Sequence, residues 1–100
     1  MSDMCDKVQQ LGKGIASPSR YKILELLMGG SKTVTELVEK VGLTQPAISQ
    51  HLATLKECEL VDCEKKGQEV FYSLNTKHML RILRSLTLDV EHCKQSAKVT

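Results

Sequence analysis

Residues 43–58 read Leu43-Thr44-Gln45-Pro46-Ala47-Ile48-Ser49-Gln50-His51-Leu52-Ala53-Thr54-Leu55-Lys56-Glu57-Cys58, and the fold turns on their arrangement. Thr44 has the side chain of a helix N-cap. Ile48, Leu52 and Leu55 then recur at i, i+4 and i+7, the apolar stripe of a helix predicted over about 44–58. Leu43, just outside, can staple onto Ile48. At about 100° per residue, Pro46, Gln50, Ala53, Thr54 and Glu57 face away from the stripe, with Gln45 and Ser49 on its flank. A helix that meets only water would carry Lys and Glu there, whereas this face is short, polar and nearly uncharged. Such side chains suit close approach to base edges in the DNA major groove, where a Gln pairs bidentately with adenine. His51 falls toward the flank of the core, where packing and a base contact are both open to it.

Upstream, Thr33-Val34-Thr35-Glu36 reads as a capping box, followed by a stripe of Val34, Leu37, Val38 and Val41 and closed by Gly42. Only Gly42-Leu43-Thr44 separates the two helices, which makes a helix-turn-helix. Before them, Ser17-Pro18 can start a helix whose apolar positions Leu24, Leu27 and Met28 run until Gly29-Gly30. Downstream, Val61 and Cys63 alternate with acidic residues, Lys65-Lys66-Gly67-Gln68 reads as a turn, and Val70, Tyr72 and Leu74 alternate again. This is a hairpin, or wing, over about 61–74 with a basic tip. A lysine pair beside a reading helix is well placed for phosphates, while an isolated one would be a solvated turn.

Met79, Leu83, Leu86 and Val90 recur at heptad-like spacing on a terminal helix predicted over about 75–94, and Val8, Leu11 and Ile15 mark another over about 3–15. One domain of this size cannot readily bury both stripes, so they predict a homodimer through the N- and C-terminal helices. The fold class expected is mainly α with a small β-hairpin, a single winged helix-turn-helix domain over residues 1–100.

A chain of 100 residues allows one compact domain and excludes a multidomain enzyme. With 41% hydrophobic and 26% charged residues it is too apolar to stay disordered. Tyr21, Phe71 and Tyr72 are the only aromatic residues, too few for a platform that stacks unpaired bases, so single-stranded nucleic acid is a poor target. A net charge of +2 leaves any DNA contact to local placement of charge. Catalysis is not expected: Gly12-Lys13-Gly14 follows no predicted strand, and so small a domain has little material for a catalytic cleft. The opening residues Met1-Ser2-Asp3-Met4-Cys5-Asp6 lack a basic start followed by an apolar run, and no stretch approaches the roughly 20 apolar residues of a membrane span. A cytoplasmic protein with no membrane partner is expected. Its cysteines (Cys5, Cys58, Cys63, Cys93) then read as free thiols, metal ligands or redox sensors rather than disulfides, although Cys58-x4-Cys63 is too loose for a zinc knuckle.

Four runs, in order, carry a resemblance. They are Ile15-Ala16-Ser17-Pro18-Ser19-Arg20-Tyr21-Lys22-Ile23-Leu24-Glu25-Leu26-Leu27, Thr35-Glu36-Leu37, Leu43-Thr44-Gln45-Pro46-Ala47-Ile48-Ser49-Gln50-His51-Leu52, and Gly67-Gln68-Glu69-Val70-Phe71-Tyr72-Ser73-Leu74. Over about residues 11–93 the chain resembles the ArsR/SmtB family of bacterial winged helix-turn-helix repressors. The resemblance implies a cytoplasmic homodimer on a partly palindromic double-stranded DNA operator, released when an inducer, usually a metal or metalloid ion, binds. Its recognition helices would enter successive major grooves about 34 Å apart. It also implies DNA contacts at Thr44, Gln45, Pro46, Ser49, Gln50 and His51, with Lys65, Lys66 and Gln68 in the wing.

The family's arsenic-type site has cysteines where this chain has Thr33 and Thr35, so that site is missing. The terminal-helix site of the family's zinc, cobalt and nickel sensors, Asp-x-His-x10-His-x-x-(Glu/His), is similar to Thr76, His78, Asp89 and His92, with Thr for the leading Asp and Asp for one His, so that His78, Asp89 and His92 can bind a divalent metal. Separations of 11 and 14 residues put these three on one helix face, yet 11 residues rise about 16 Å, so one helix cannot close the site. Two antiparallel terminal helices can, with Asp89 and His92 of one subunit meeting His78 of the other at the dimer interface and water as fourth ligand. Otherwise the three are polar residues at the rim of a helical dimer. A rival set is thiolate. Cys58 stands where cadmium- and lead-type relatives use cysteine, although their second cysteine, one turn earlier, is Thr54 here. Cys63 with Cys58, joined by Cys5 or Cys93, would complete a set for a soft metal or metalloid, or for oxidation or persulfidation. Against this, Cys63 can pack inward beside Val61, and Glu57, Glu59, Asp62 and Glu64 disfavour thiolates without a metal while helping to attract a cation. A winged-helix module for dimerisation or protein interaction, without inducer sensing, is the other class the sequence leaves open.

Overall fold

The computed structural model describes the backbone of residues 2–99 and the side chains of residues 4–93. In chain order the elements are α1 (Ser2–Ile15), α2 (Pro18–Leu27), β1 (Lys32–Thr33), α3 (Val34–Val41), α4 (Gln45–Glu57), β2 (Val61–Lys66), β3 (Glu69–Leu74) and α5 (Thr76–Val99). Among the described residues, no helix is long and apolar enough to cross a membrane.

The helices of the central trio begin where the sequence supplies a cap. The Ser17 hydroxyl accepts from the Arg20 N–H at 3.3 Å, and Pro18 opens α2. Thr33 and Glu36 form the expected capping box: the Thr33 hydroxyl accepts from the Glu36 N–H at 3.2 Å, and the Thr33 N–H donates to Glu36 Oε1 at 2.9 Å. Gly42, at φ 83°, lets the chain leave α3 in a left-handed turn that a side chain would resist. After Leu43, Thr44 caps α4 by accepting from the Ala47 N–H at 3.3 Å. The far end of α4 closes differently. Glu59 takes the left-handed position at φ 62°, its N–H bonds to the Lys56 carbonyl at 3.0 Å, and the Leu60 N–H bonds to the Leu55 carbonyl at 3.0 Å. These are the two bonds of a Schellman turn, with Leu60 and Leu55 as its apolar contact.

The hairpin is part of a three-stranded antiparallel sheet in the order β1-β3-β2, in which Lys32 pairs with Tyr72 and Thr33 with Phe71. The expected four-residue turn is also shorter. Lys65 and Lys66 belong to β2, opposite Val70 and Glu69, and only Gly67-Gln68 turns the chain, with Gly67 at φ 65°. A left-handed residue is what a tight two-residue hairpin needs, and only Gly67 can supply it without strain.

The core is aliphatic, as the scarcity of aromatics requires. Ile23, Leu24 and Leu27 of α2, Leu37 of α3 and Ile48, Leu52 and Leu55 of α4 pack with Leu60 and Val61. Met28, placed in the α2 stripe from its spacing, is instead exposed at the end of that helix. Leu11 of α1 and Met79 and Ile82 of α5 extend the core to the terminal helices. Arg20 fastens the α1–α2 corner by donating from Nε to the Gly14 carbonyl at 3.1 Å and from Nη2 to the Lys13 carbonyl at 2.9 Å. The α5 stripe divides: Met79 is buried, whereas Leu83, Leu86 and Val90 are 44%, 40% and 60% exposed.

Candidate nucleic-acid interface

Burial of Ile48, Leu52 and Leu55 fixes which way α4 faces. With that stripe turned inward, Thr44, Gln45, Pro46, Ser49, Gln50 and Ala53 are all exposed, and the outward face is the polar one read from the sequence. Thr54, expected on the same face, is half-buried, and so is His51, as its position on the core flank required. The Thr44 hydroxyl takes the Ala47 N–H and Pro46 has none, so the N-terminal turn of α4 presents its exposed side chains to a groove.

The wing carries Lys65, Lys66 and Gln68 at its tip, all exposed. The Lys66 Nζ lies 3.9 Å from a Glu64 carboxylate oxygen and 5.6 Å from the centre of the Phe71 ring. Both contacts are made by the ammonium head in an exposed setting, where an ion pair is worth little and a phosphate can compete for the charge.

One functional group escaped the sequence reading. Lys56, exposed in the last turn of α4, donates from Nζ to the Cys63 sulfur on β2 at 3.1 Å. That hydrogen bond, with the Coulomb interaction beside it, raises the Lys56 ammonium above its ordinary value. Seven residues and a turn separate the two, and only knowledge of the turn would have brought them together.

The predicted sensing residues are dispersed. His78 is buried at the start of α5, where its backbone N–H donates to the Asn75 side-chain oxygen at 3.2 Å and its Nε2 has no hydrogen-bond partner among the described residues. Asp89 and His92 are exposed further along the helix. Asp89 lines a groove shared with Met4, Cys5, Val8 and Gln9 of α1. Cys58 is 2% exposed within the core, Cys63 is half-buried beside Lys56, and Cys5 and Cys93 are exposed on the terminal helices. Among the described residues, no three His, Cys, Asp or Glu side chains of one chain stand close enough to share a metal ion. An imidazole nitrogen without a partner is the donor a metal would use. With Asp89 and His92 it makes an N/O set that fits a divalent ion only if a second chain completes it and the His78 ring, whose Nε2 is buried in its own chain, turns outward.

The sequence profile of the family described as "Bacterial regulatory protein, arsR family" matches residues 17–62, from the cap of α2 to the start of β2. The transcriptional repressor SdpR of Bacillus subtilis is 45% identical over 64% of this chain and 71% of its own length. A probable mercury resistance operon repressor of Streptomyces lividans is 33% identical over 69% of this chain and 55% of its own. The solved structure of HlyU from Vibrio cholerae superposes with a TM-score of 0.73 at 36% identity, covering 88% of this chain and 97% of that one. With the helix order, the capped reading helix and the wing in place, this protein belongs to the ArsR family of winged helix-turn-helix regulators.

Proposed function

We propose that the protein is a sequence-specific repressor of transcription that grips a partly palindromic operator as a homodimer. The observation that carries this reading is the exposed, nearly uncharged face of α4, flanked by a lysine-tipped wing. Thr44, Gln45, Pro46, Ser49 and Gln50 read base edges, His51 supports them from the flank, and Lys65, Lys66 and Gln68 hold phosphates. The repressor names of its relatives point the same way. A module that only dimerised would have no use for such a face. The reading makes the protein a cytoplasmic regulator and not an enzyme.

The uncovered Leu83, Leu86 and Val90 favour dimerisation through α5 together with α1. An inducer would act at that seam. His78, Asp89 and His92, shared between two chains, suit a divalent ion of the zinc, cobalt or nickel type, and the relative named for mercury resistance supports metal response in general. The rival is a thiol-reactive or soft-metal inducer at Cys63 with Cys5, Cys93 or Cys58, of which Cys58 is the least accessible. Cobalt(II) titration of the reduced protein separates them: intense thiolate-to-metal charge transfer selects the cysteines, and weak bands indifferent to Cys→Ser changes select the His/Asp set.

The repressor reading itself is tested by fluorescence anisotropy on promoter DNA with Gln50→Ala and with Lys65→Ala/Lys66→Ala. Both are expected to weaken retention; unchanged binding by both would overturn the reading.

A further inference from the structure

We propose that Lys56 and Cys63 form a hydroperoxide-reactive pair that closes a covalent bond between the recognition helix and the wing. The amine nitrogen and the sulfur are 3.1 Å apart and already share a hydrogen bond. Lys56 belongs to the last turn of α4 and Cys63 to β2, so the contact joins the two elements that face DNA in the proposed function. Lys56 is exposed and Cys63 partly so, which lets a small oxidant reach the sulfur, whereas Cys58 is sealed in the core. Partly open thiols beside a cation are the reactive kind, and buried ones are inert. The bond to Cys63 raises the Lys56 ammonium, so the nitrogen must give up a proton to solvent before it can attack the oxidised sulfur.

The chemistry takes two steps. The Cys63 sulfur attacks one oxygen of a hydroperoxide: an S–O bond forms, the O–O bond breaks, sulfur loses two electrons to the peroxide, and the thiol proton leaves with the departing oxygen as water or alcohol. The Lys56 nitrogen then displaces the sulfenic hydroxyl. An S–N bond forms, the hydroxyl leaves as water with one ammonium proton, and a second ammonium proton passes to solvent, giving a sulfenamide that a thiol can reverse. The product neutralises one cation and locks the end of α4 to β2. This deepens the thiol-reactive branch of the proposed function and takes its regulatory meaning from it.

The test treats the full chain with stoichiometric hydrogen peroxide and maps its peptides by mass spectrometry. The expected product is the uncut tryptic peptide from Val41 to Lys65, lighter by two hydrogens than the same uncut stretch with free side chains, which a thiol reductant restores to normal cleavage after Lys56. Lys56→Arg, with an unchanged thermal melt, is expected to form no link and to leave Cys63 as a sulfenic acid that dimedone traps. The proposal is overturned if Cys63 remains a thiol while Cys5 and Cys93 are oxidised, or if Cys63 is oxidised and trypsin still cuts after Lys56. Promoter retention by the unoxidised protein is measured alongside, so a failed repressor reading shows up separately from a failed link.

Discussion

At Gly14, α1 packs tightly against Leu60 and Leu55. A Cβ there would collide with the Leu60 Cδ1 and come within 3.4 Å of the Leu55 Cδ2, and both leucines are fully buried. Gly14→Ala sets two effects against each other: better helix propensity, at most about 1 kcal/mol, and overpacking of about 1–3 kcal/mol. The propensity gain shrinks in a last turn, so the clash wins. We expect a net loss of about 1–2 kcal/mol in urea unfolding, and a stabilised Gly14→Ala would show that α1 can move off Leu60. The other informative residue is Glu36. The Thr33 N–H bond holds its carboxyl below the ordinary glutamate value, with the Thr33 hydroxyl and Lys32 and Lys40 assisting against a smaller desolvation effect. A carboxylate lowered on folding adds stability that is complete above its unfolded pKa and is lost as pH falls through the folded one. Glu36→Gln is therefore expected to lower the urea midpoint at neutral pH, with the gap to the parent closing as acid protonates Glu36. A gap that stays constant with pH would show that the charge contributes nothing.

At the scale of elements, α4 and the wing are expected to divide the work of binding. A side chain that reads a base costs about 1–3 kcal/mol when removed, and only on the right sequence. A lysine on a phosphate weakens binding to every sequence when it is removed, and lowers the salt slope by about 0.9 for each phosphate it had neutralised. In anisotropy titrations over a range of salt, Gln50→Ala should thus weaken operator binding and spare unrelated duplex, while Lys65→Ala/Lys66→Ala weakens both and flattens the salt dependence. The reverse pattern would exchange the roles of helix and wing. Most of this was legible in the sequence because it depends on local signals: Ser17, Thr33 and Thr44 announce helix starts by their own hydroxyls, and the Ile48/Leu52/Leu55 stripe fixes the face by period. What stayed hidden depends on pairing across the chain. The two-residue strand Lys32–Thr33 is too short to show alternation and exists because Tyr72 and Phe71 supply its partners. The Lys65-Lys66 segment reads as a turn because it is polar, but an exposed hairpin tip is polar whether or not its residues pair. Glu59 in a left-handed conformation carries no signal, since the usual marker there is glycine.

For the whole molecule, the decisive feature is the apolar surface α5 leaves uncovered. Leu80, Leu83, Leu86, Leu88 and Val90 are all at least 40% exposed, a density of large apolar side chains that a soluble surface does not normally display. The buried turns of α5, at Met79 and Ile82, anchor it to the domain; beyond Ile82 the apolar residues point outward. A second copy, with its α5 antiparallel, would cover Leu83, Leu86 and Val90 and bring His78 of one chain toward Asp89 and His92 of the other, while Leu80 and Leu88 line a groove further round the helix. The operator reading requires such a dimer to set its two recognition helices near the roughly 34 Å of successive major grooves. Leu83→Glu/Leu86→Glu places charge on that surface without touching the core. The variant is expected to sediment as a monomer with an unchanged helical spectrum and to lose operator affinity by about 10²- to 10⁴-fold, the penalty for binding one half-site without its linked neighbour. Its non-specific binding, which depends on each wing separately, should fall far less. If the variant still sediments as a dimer, α5 is not the seam, and the shared His/Asp set has no second chain to complete it.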